Sequence, residues 1–386
     1  MTNHISCDIK NREVIILILK NASVCNDNFE FINTDITIED GKIKSLEKSE
    51  ESGIDCTGCV ILPGFIDIHI HGCNMADCTD GKPDSAAKMG RFLAEHGITS
   101  FCPTTMTLPV KELENSFSYI KETMGKEEGA YIHGINMEGP FISPKRKGAQ
   151  AEENIKEPDF ELFSNLNKIC NVKIVDIAPE VNGANEFIEK AKNICRVSAA
   201  HTEADYATIK KAESLGLKHA THLFNAMTQL GSREPGAVGA VFDSDKITAE
   251  LICDGIHISP ATLRIAFKIL GENRTVIISD AMMAAGLEDG EYTLGGQRVI
   301  KKGAARLADG TLAGSVTNLF DEFKNAISWG IPLKQAIKSV TINPAKCIGA
   351  DKYTGSIKEG KNADLIILKN DFSELYNVII KGNIYK

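Results

Sequence analysis

No apolar run in these 386 residues approaches the roughly 20 needed to cross a bilayer. The opening stretch, MTNHISCDIKNREVIILILKN, lacks the basic lead and the small-residue cleavage site of a secretory signal, and reads as a strand. A clustered basic stripe is also missing. With 43 Lys and Arg against 52 Asp and Glu, the net charge is −9, which argues against nucleic acid or an anionic membrane as partner. Nor is there a disulfide framework: eleven cysteines, an odd number scattered along a long chain, fit reduced thiols in a cytoplasmic protein. Cys56 and Cys59 form a CxxC with no second pair to complete a zinc knuckle, and read as two small residues in a turn.

What is present is enough apolar material, 43% of the residues, for one large domain with an accessory one. Residues 14–62 read as short strands separated by turns, with Asp40-Gly41 as a hairpin signal between alternating segments. From Gly64 the pattern changes to short apolar runs alternating with helical segments. Eight strand candidates follow in order: GFIDIHI, TSFCPTT, YIHGINME, VKIVDIAPE, CRVSAAHT, KHATHLFN, TAELICDGIH and TVIISDA. DSAAKMGRFLAEHG is the clearest intervening helix, with Asp84 or Ser85 as N-cap and Gly97 as the stop. Eight such units predict a (β/α)8 barrel over residues 63–347. After residue 347 the β character returns, so 348–386 is expected to join 1–62 in one discontinuous β-sandwich domain.

In such a barrel the chemistry sits at the C-terminal ends of the strands. His69 and His71 end the first strand, Glu138 the third, His201 the fifth and His222 the sixth; His257 follows the seventh and Asp280 ends the eighth. One histidine at a strand end is ordinarily a hydrogen-bonded core residue. So many strand ends agreeing points to a metal site instead. Imidazole and carboxylate donors suit zinc or ferrous iron, and Glu138, His201 and His222 supply three ligands with a position left for water. A cation there lowers the pKa of water toward about 7. Asp280 is then placed to take the proton and return it to a leaving nitrogen.

The motifs PGFIDIHIHG (63–72), MEGPFISPKRKGAQ (137–150), AAHTEAD (199–205), THLFNAM (221–227), REPGAVG (233–239), DGIH (254–257), SDAMMAAG (279–286) and LAGS (312–315) span nearly the whole chain. Through them it resembles the amidohydrolase superfamily and, within it, the N-acetylglucosamine-6-phosphate deacetylase family. The resemblance implies hydrolysis of the N-acetyl group of N-acetylglucosamine 6-phosphate, in amino-sugar catabolism and cell-wall sugar recycling. It matches Glu138, His201 and His222 to metal ligands and Asp280 to the general base and acid. Asn225, Ala226 and Arg233 match positions that hold the sugar phosphate, the arginine reaching across from the second subunit of a homodimer. His257 matches a substrate-binding histidine, and Leu312, Ala313 and Gly314 a loop along the N-acetyl side.

Family members vary at the first strand, and this chain keeps the HxH pair. Residues two apart face the same side of a strand, so His69 and His71 are expected to hold a second cation with Glu138 bridging. Without that cation they would line the pocket as hydrogen-bonding groups. Gln150 stands where some members have a histidine that polarises the substrate carbonyl, and its amide can donate only a hydrogen bond. The implied cofactor is one or two divalent metals per subunit, zinc or iron foremost, with cobalt or manganese also compatible.

Three alternatives remain at this stage. One is the galactosamine isomer of the substrate. Another is a cyclic-amide hydrolase, whose usual carboxylated lysine on the fourth strand would have to be Lys173. The last is a non-catalytic barrel, which should lack a ligand or the proton shuttle, and none is missing.

Overall fold

Eight short runs in which nearly every residue is buried form the central sheet of a computed structural model describing residues 16–386. They are β1 Phe65–Ile70, β2 Ile98–Thr105, β3 Ile135–Met137, β4 Val172–Ile177, β5 Arg196–Ala199, β6 His219–Ala220, β7 Thr248–Ile252 and β8 Thr275–Ile278. Each pairs in parallel with the next, from β1–β2 through β7–β8. Burial on both faces explains why they read as continuous apolar runs and not as alternation. The Asp280 amide, just past the end of β8, donates to the carbonyl of His69 in β1 at 2.9 Å, drawing the two edges together. All eight expected strands are in place, and the fold is the (β/α)8 barrel.

The helix expected after β1 spans Ser85–Glu95 and buries Met89, Phe92 and Leu93. Gly97 follows it at φ +84, where a residue without Cβ is unstrained. Asp84 is the N-cap residue, as expected, but its side chain makes no capping hydrogen bond and pairs with Lys88 at 2.7 Å, while the Ser85 hydroxyl donates to Asp80 at 2.8 Å.

Both ends of the described chain contribute to a separate eight-stranded sheet. Its order is 383–384, 375–380, 365–369, 59–63, 16–25, 31–39 and 42–45, with 54–55 beside 16–25. Asp40 and Gly41, at φ +49 and +78, form the hairpin turn between 31–39 and 42–45. In the strands at 59–63 and 365–369, Ile61, Leu365 and Ile367 face the core of this sheet, whereas Val60, Leu62, Ile366 and Leu368 pack against the barrel core. Period-2 alternation therefore locks the accessory sheet to the barrel. The part of the N-terminal strand expectation that rests on residues 1–15 lies outside the described residues. Cys56 and Cys59 close a turn, the Cys59 amide donating to the Cys56 carbonyl at 2.9 Å, and burial raises both thiol pKa values. All cysteines among the described residues are unpaired.

A three-stranded hairpin insertion (290–294, 297–302, 304–306) follows β8 and was not legible as such in the sequence. Gln297 ties it to the loop after β3 by donating to the Ala149 carbonyl at 2.5 Å.

Asp35 anchors the accessory sheet. Burial alone would raise its pKa, but the amides of Ser49 and Asn21 and the Lys48 ammonium donate to its carboxylate at 2.9, 2.9 and 3.1 Å and bring it down from 3.8 to about 2. A folded-state value below the unfolded one means the stabilisation is complete above about pH 4 and disappears as pH falls through about 2. Asp35→Ala is expected to cost roughly 2 kcal/mol at pH 7 and to flatten the acid limb of the stability curve. Urea unfolding at pH 7 and pH 3 checks both; an equal loss at the two pH values would contradict the account.

Candidate metal centre and active site

The C-terminal ends of the strands and the loops leaving them bring five side chains able to ligate a metal to one point. Glu138, His201 and His222 form one cluster and His69, His71 and Glu138 a second, each with its donor atoms within 4.8 Å of one another. Glu138 belongs to both. Its Oε1 lies 3.0 Å from Nε2 of His201 and of His222, and its Oε2 3.3 Å from Nε2 of His71. Gly139 makes this approach possible: at φ +83 any Cβ would sit 2.1 Å from the Thr107 hydroxyl.

For His201 and His71 the tautomer follows from the partner behind the ring. His201 Nδ1 donates to the Arg146 carbonyl at 2.7 Å and His71 Nδ1 to the Thr104 carbonyl at 3.0 Å, since a carbonyl can only accept. Each neutral ring therefore presents its Nε2 lone pair to the centre, as metal-binding histidines do. His201 and His222 place their Nε2 atoms 3.2 Å apart, and the buried Nε2 of His69 has no hydrogen-bond partner. Lone pairs converging on a shared carboxylate, with an orphaned buried nitrogen beside them, fit a divalent cation. The residues present suit the group.

Burial alone would raise the pKa of Glu138, but the surrounding imidazoles of His201, His222, His71 and His69 hold it well below the usual carboxylate range. Asp280 likewise is pushed up by burial and brought down further by His71 and His69; its Oδ1 lies 3.3 Å from His71 Nε2 and 3.5 Å from His69 Nε2. His201, His222 and Asp280 all have left-handed backbones, at φ +44, +32 and +47. Such conformations cost non-glycine residues about 1–3 kcal/mol each and concentrate at functional sites.

A cleft of about 290 Å³ opens above the cluster, lined among others by His71, Glu138, His201, His222, Asp280 and His257. His257 donates through Nδ1 to Asp254 at 2.7 Å, which leaves Nε2 for the cleft; burial would lower its pKa, but Asp254 raises it. Asn225, Ala226, Leu312 and Gly314 form walls, while Ala313 is fully buried and stands behind them. Gln150 is committed at both ends, accepting from the Thr107 amide at 2.7 Å and donating to Glu138 Oε2 at 2.6 Å. One amide hydrogen is left for anything else.

Arg233 is exposed and does not line this cleft. The cations in the wall are Lys145 and Arg146, both partnered by Glu203. They lie in the motif PKRKGAQ, yet an exposed basic loop gives no sequence signal of its own. Two further residues escaped the sequence reading. Glu250 and His219, buried in β7 and β6, lie beneath His69, with Glu250 Oε2 3.0 Å from His69 Nδ1. Their signal was a charged residue inside an apolar strand. Lys173 starts β4 and lines a different cavity with Arg196 and Lys218, at the N-terminal end of the strands, so it cannot bridge metals at the C-terminal end.

Residues 60–385 match the Amidohydrolase family. The N-acetylglucosamine-6-phosphate deacetylase of Bacillus subtilis (strain 168) is 39% identical over 389 residues, covering 95% of this chain and 96% of that protein. The N-acetylgalactosamine-6-phosphate deacetylase of Escherichia coli O157:H7 is 33% identical over 340 residues, covering 86% and 90%. Among solved structures, a mutant N-acetyl-D-glucosamine-6-phosphate deacetylase of Mycobacterium smegmatis, in complex with N-acetyl-D-glucosamine-6-phosphate, superposes with a TM-score of 0.89. It is 27% identical, and the match covers 96% of this chain and 99% of that one.

Proposed function

The chain belongs to the amidohydrolase family, and from that premise we propose that it hydrolyses the N-acetyl group of N-acetyl-D-glucosamine 6-phosphate, giving acetate and D-glucosamine 6-phosphate. The observation that carries this reading is the convergence of Glu138, His69, His71, His201 and His222 with Asp280 at the floor of one small cleft. A divalent cation held there, zinc or iron foremost and one or two per subunit, supplies Lewis-acid activation of the amide carbonyl and of water at neutral pH. Asp280 accepts the proton of the attacking water and delivers it to the departing nitrogen. Glu138 keeps Oε1 on His201 and His222 and Oε2 on His71, and Gln150 holds the carboxylate in that orientation. A cleft of about 290 Å³ suits one sugar ring, being at the small end of ligand pockets.

The phosphate needs a cation, and two sources are available. Lys145 and Arg146 stand in the wall of the same chain; Arg233, exposed and outside its own cleft, reads as the contribution of a second subunit in a homodimer. No described helix is long and apolar enough to cross a membrane; the unpaired cysteines support a cytoplasmic location.

Acetate release from the phosphorylated and unphosphorylated sugar tests the reading. The phosphate is expected to raise kcat/KM by about 100-fold or more, and Arg233→Ala to raise KM by about 10-fold with kcat little changed. Equal turnover of both sugars would sink the phosphate anchor. The galactosamine isomer is a second reading, favoured by the Escherichia coli relative; a higher kcat/KM on N-acetylgalactosamine 6-phosphate would select it.

A further inference from the structure

Below the metal-ligand layer, the barrel interior holds polar groups that the proposed chemistry does not use. Glu250 and His219 are both 0% exposed. His219 Nε2 meets Glu250 Oε1 at 3.0 Å, and His219 Nδ1 meets the Thr248 hydroxyl at 2.6 Å. The other oxygen of Glu250 turns upward. Oε2 accepts from His69 Nδ1 at 3.0 Å and from the backbone amide of His222 at 3.2 Å.

Stability does not account for this arrangement. A buried ion pair is commonly matched or bettered by apolar residues of the same volume, and the middle of a parallel barrel is where apolar side chains pack most easily. What an apolar replacement could not do is accept a hydrogen bond from His69. We infer that Glu250 is a positioning residue for the metal centre: it holds His69 with the proton on Nδ1 and the lone pair on Nε2, while His219 and Thr248 hold Glu250. The contact to the His222 amide extends the same clamp to the second ligand group, at a residue whose backbone is in the left-handed region (φ +32). This rests on the reading that His69, His71 and Glu138 hold a cation.

Two acceptor oxygens are needed, and only a carboxylate has both. In Glu250→Gln one oxygen must serve His69 and His219, and the NH2 group faces an N–H at whichever it abandons. His69 can relieve that clash by moving its proton to Nε2, which removes it as a ligand. Loss of such partners commonly weakens metal binding by about 10- to 100-fold.

The test is competitive titration of the apo-protein with Zn²⁺ against a chromophoric chelator, for the unaltered protein, Glu250→Gln, Glu250→Asp, His69→Gln and the His69→Gln/Glu250→Gln double variant. Near-UV circular dichroism of each apo-protein identifies any that fail to fold, and Glu250→Asp, which keeps both oxygens, is the milder probe if Glu250→Gln does. The expected result is two cations for the unaltered protein. Glu250→Gln weakens the looser one by about 10- to 100-fold, and in the His69→Gln background the same change has a smaller effect, because the contact it acts through is gone. Undiminished affinity in a folded Glu250→Gln protein, or an equal loss with and without His69, would overturn the inference. If His69→Gln itself leaves stoichiometry and affinity unchanged, the two-cation reading fails and this inference with it. If His69→Gln removes a cation while Glu250→Gln does not, only the positioning role fails. Neither outcome depends on which sugar is the substrate.

Discussion

Asp280→Asn is expected to slow turnover by about 10²- to 10⁴-fold, with KM and metal content near those of the unaltered protein. Asparagine has the shape of the aspartate but cannot accept a proton at neutral pH. The backbone here is held independently of the side chain: the Asp280 amide donates to the His69 carbonyl at 2.9 Å, and its carbonyl accepts from Ser315 at 2.7 Å. The left-handed φ of +47 is also one that asparagine tolerates better than most residues. The substitution therefore removes the proton acceptor and little else. Steady-state acetate release with metal analysis of the same preparation checks it. Undiminished kcat would show that another group moves the proton, and a lost cation would show that Asp280 acts chiefly as a ligand.

Glu138→Gln is expected to empty both halves of the centre and to lower turnover by about 10⁴-fold or more. The size follows from its position. One carboxylate meets His201 and His222 through Oε1 and His71 through Oε2, so a single change removes a donor from both ligand groups. A glutamine in its place carries no charge and turns an amide either toward the histidines or toward Gln150, whose own NH2 already donates to Oε2 at 2.6 Å. Metal content per chain after dialysis, read beside the rate, distinguishes this from misfolding. By comparison His69→Gln should release one cation only. Retention of both cations by Glu138→Gln would contradict the shared-ligand geometry.

The barrel was legible because parallel strands buried on both faces leave a simple mark, short apolar runs separated by helical periodicity. The polar residues at the strand ends were legible for a related reason: His69, His71, Glu138, His201, His222 and Asp280 each interrupt or follow such a run. Glu250 interrupts a run as well, but mid-strand, and His219 opens β6; at such positions a polar residue ordinarily signals a face turned to solvent and not a second layer beneath a metal site. Arg233 shows the converse: its motif suggested a phosphate contact, and within one chain it stands exposed, away from the cleft. Backbone strain left no mark at all, since nothing in the letters of His201 or His222 reports a positive φ. The insertion at 290–306 was missed because its alternating strands follow the eighth barrel strand, where the (β/α)8 pattern supplies no expectation.

The most direct test of the account is acetate release from N-acetylglucosamine 6-phosphate by one preparation carried through three states: metal-replete, stripped with a chelator, and reloaded with zinc or iron. The account predicts turnover in the first state, its loss in the second and its return in the third, in proportion to cation bound. Turnover unchanged after complete removal of metal would contradict it, because no other group in the cleft can activate both the carbonyl and the water.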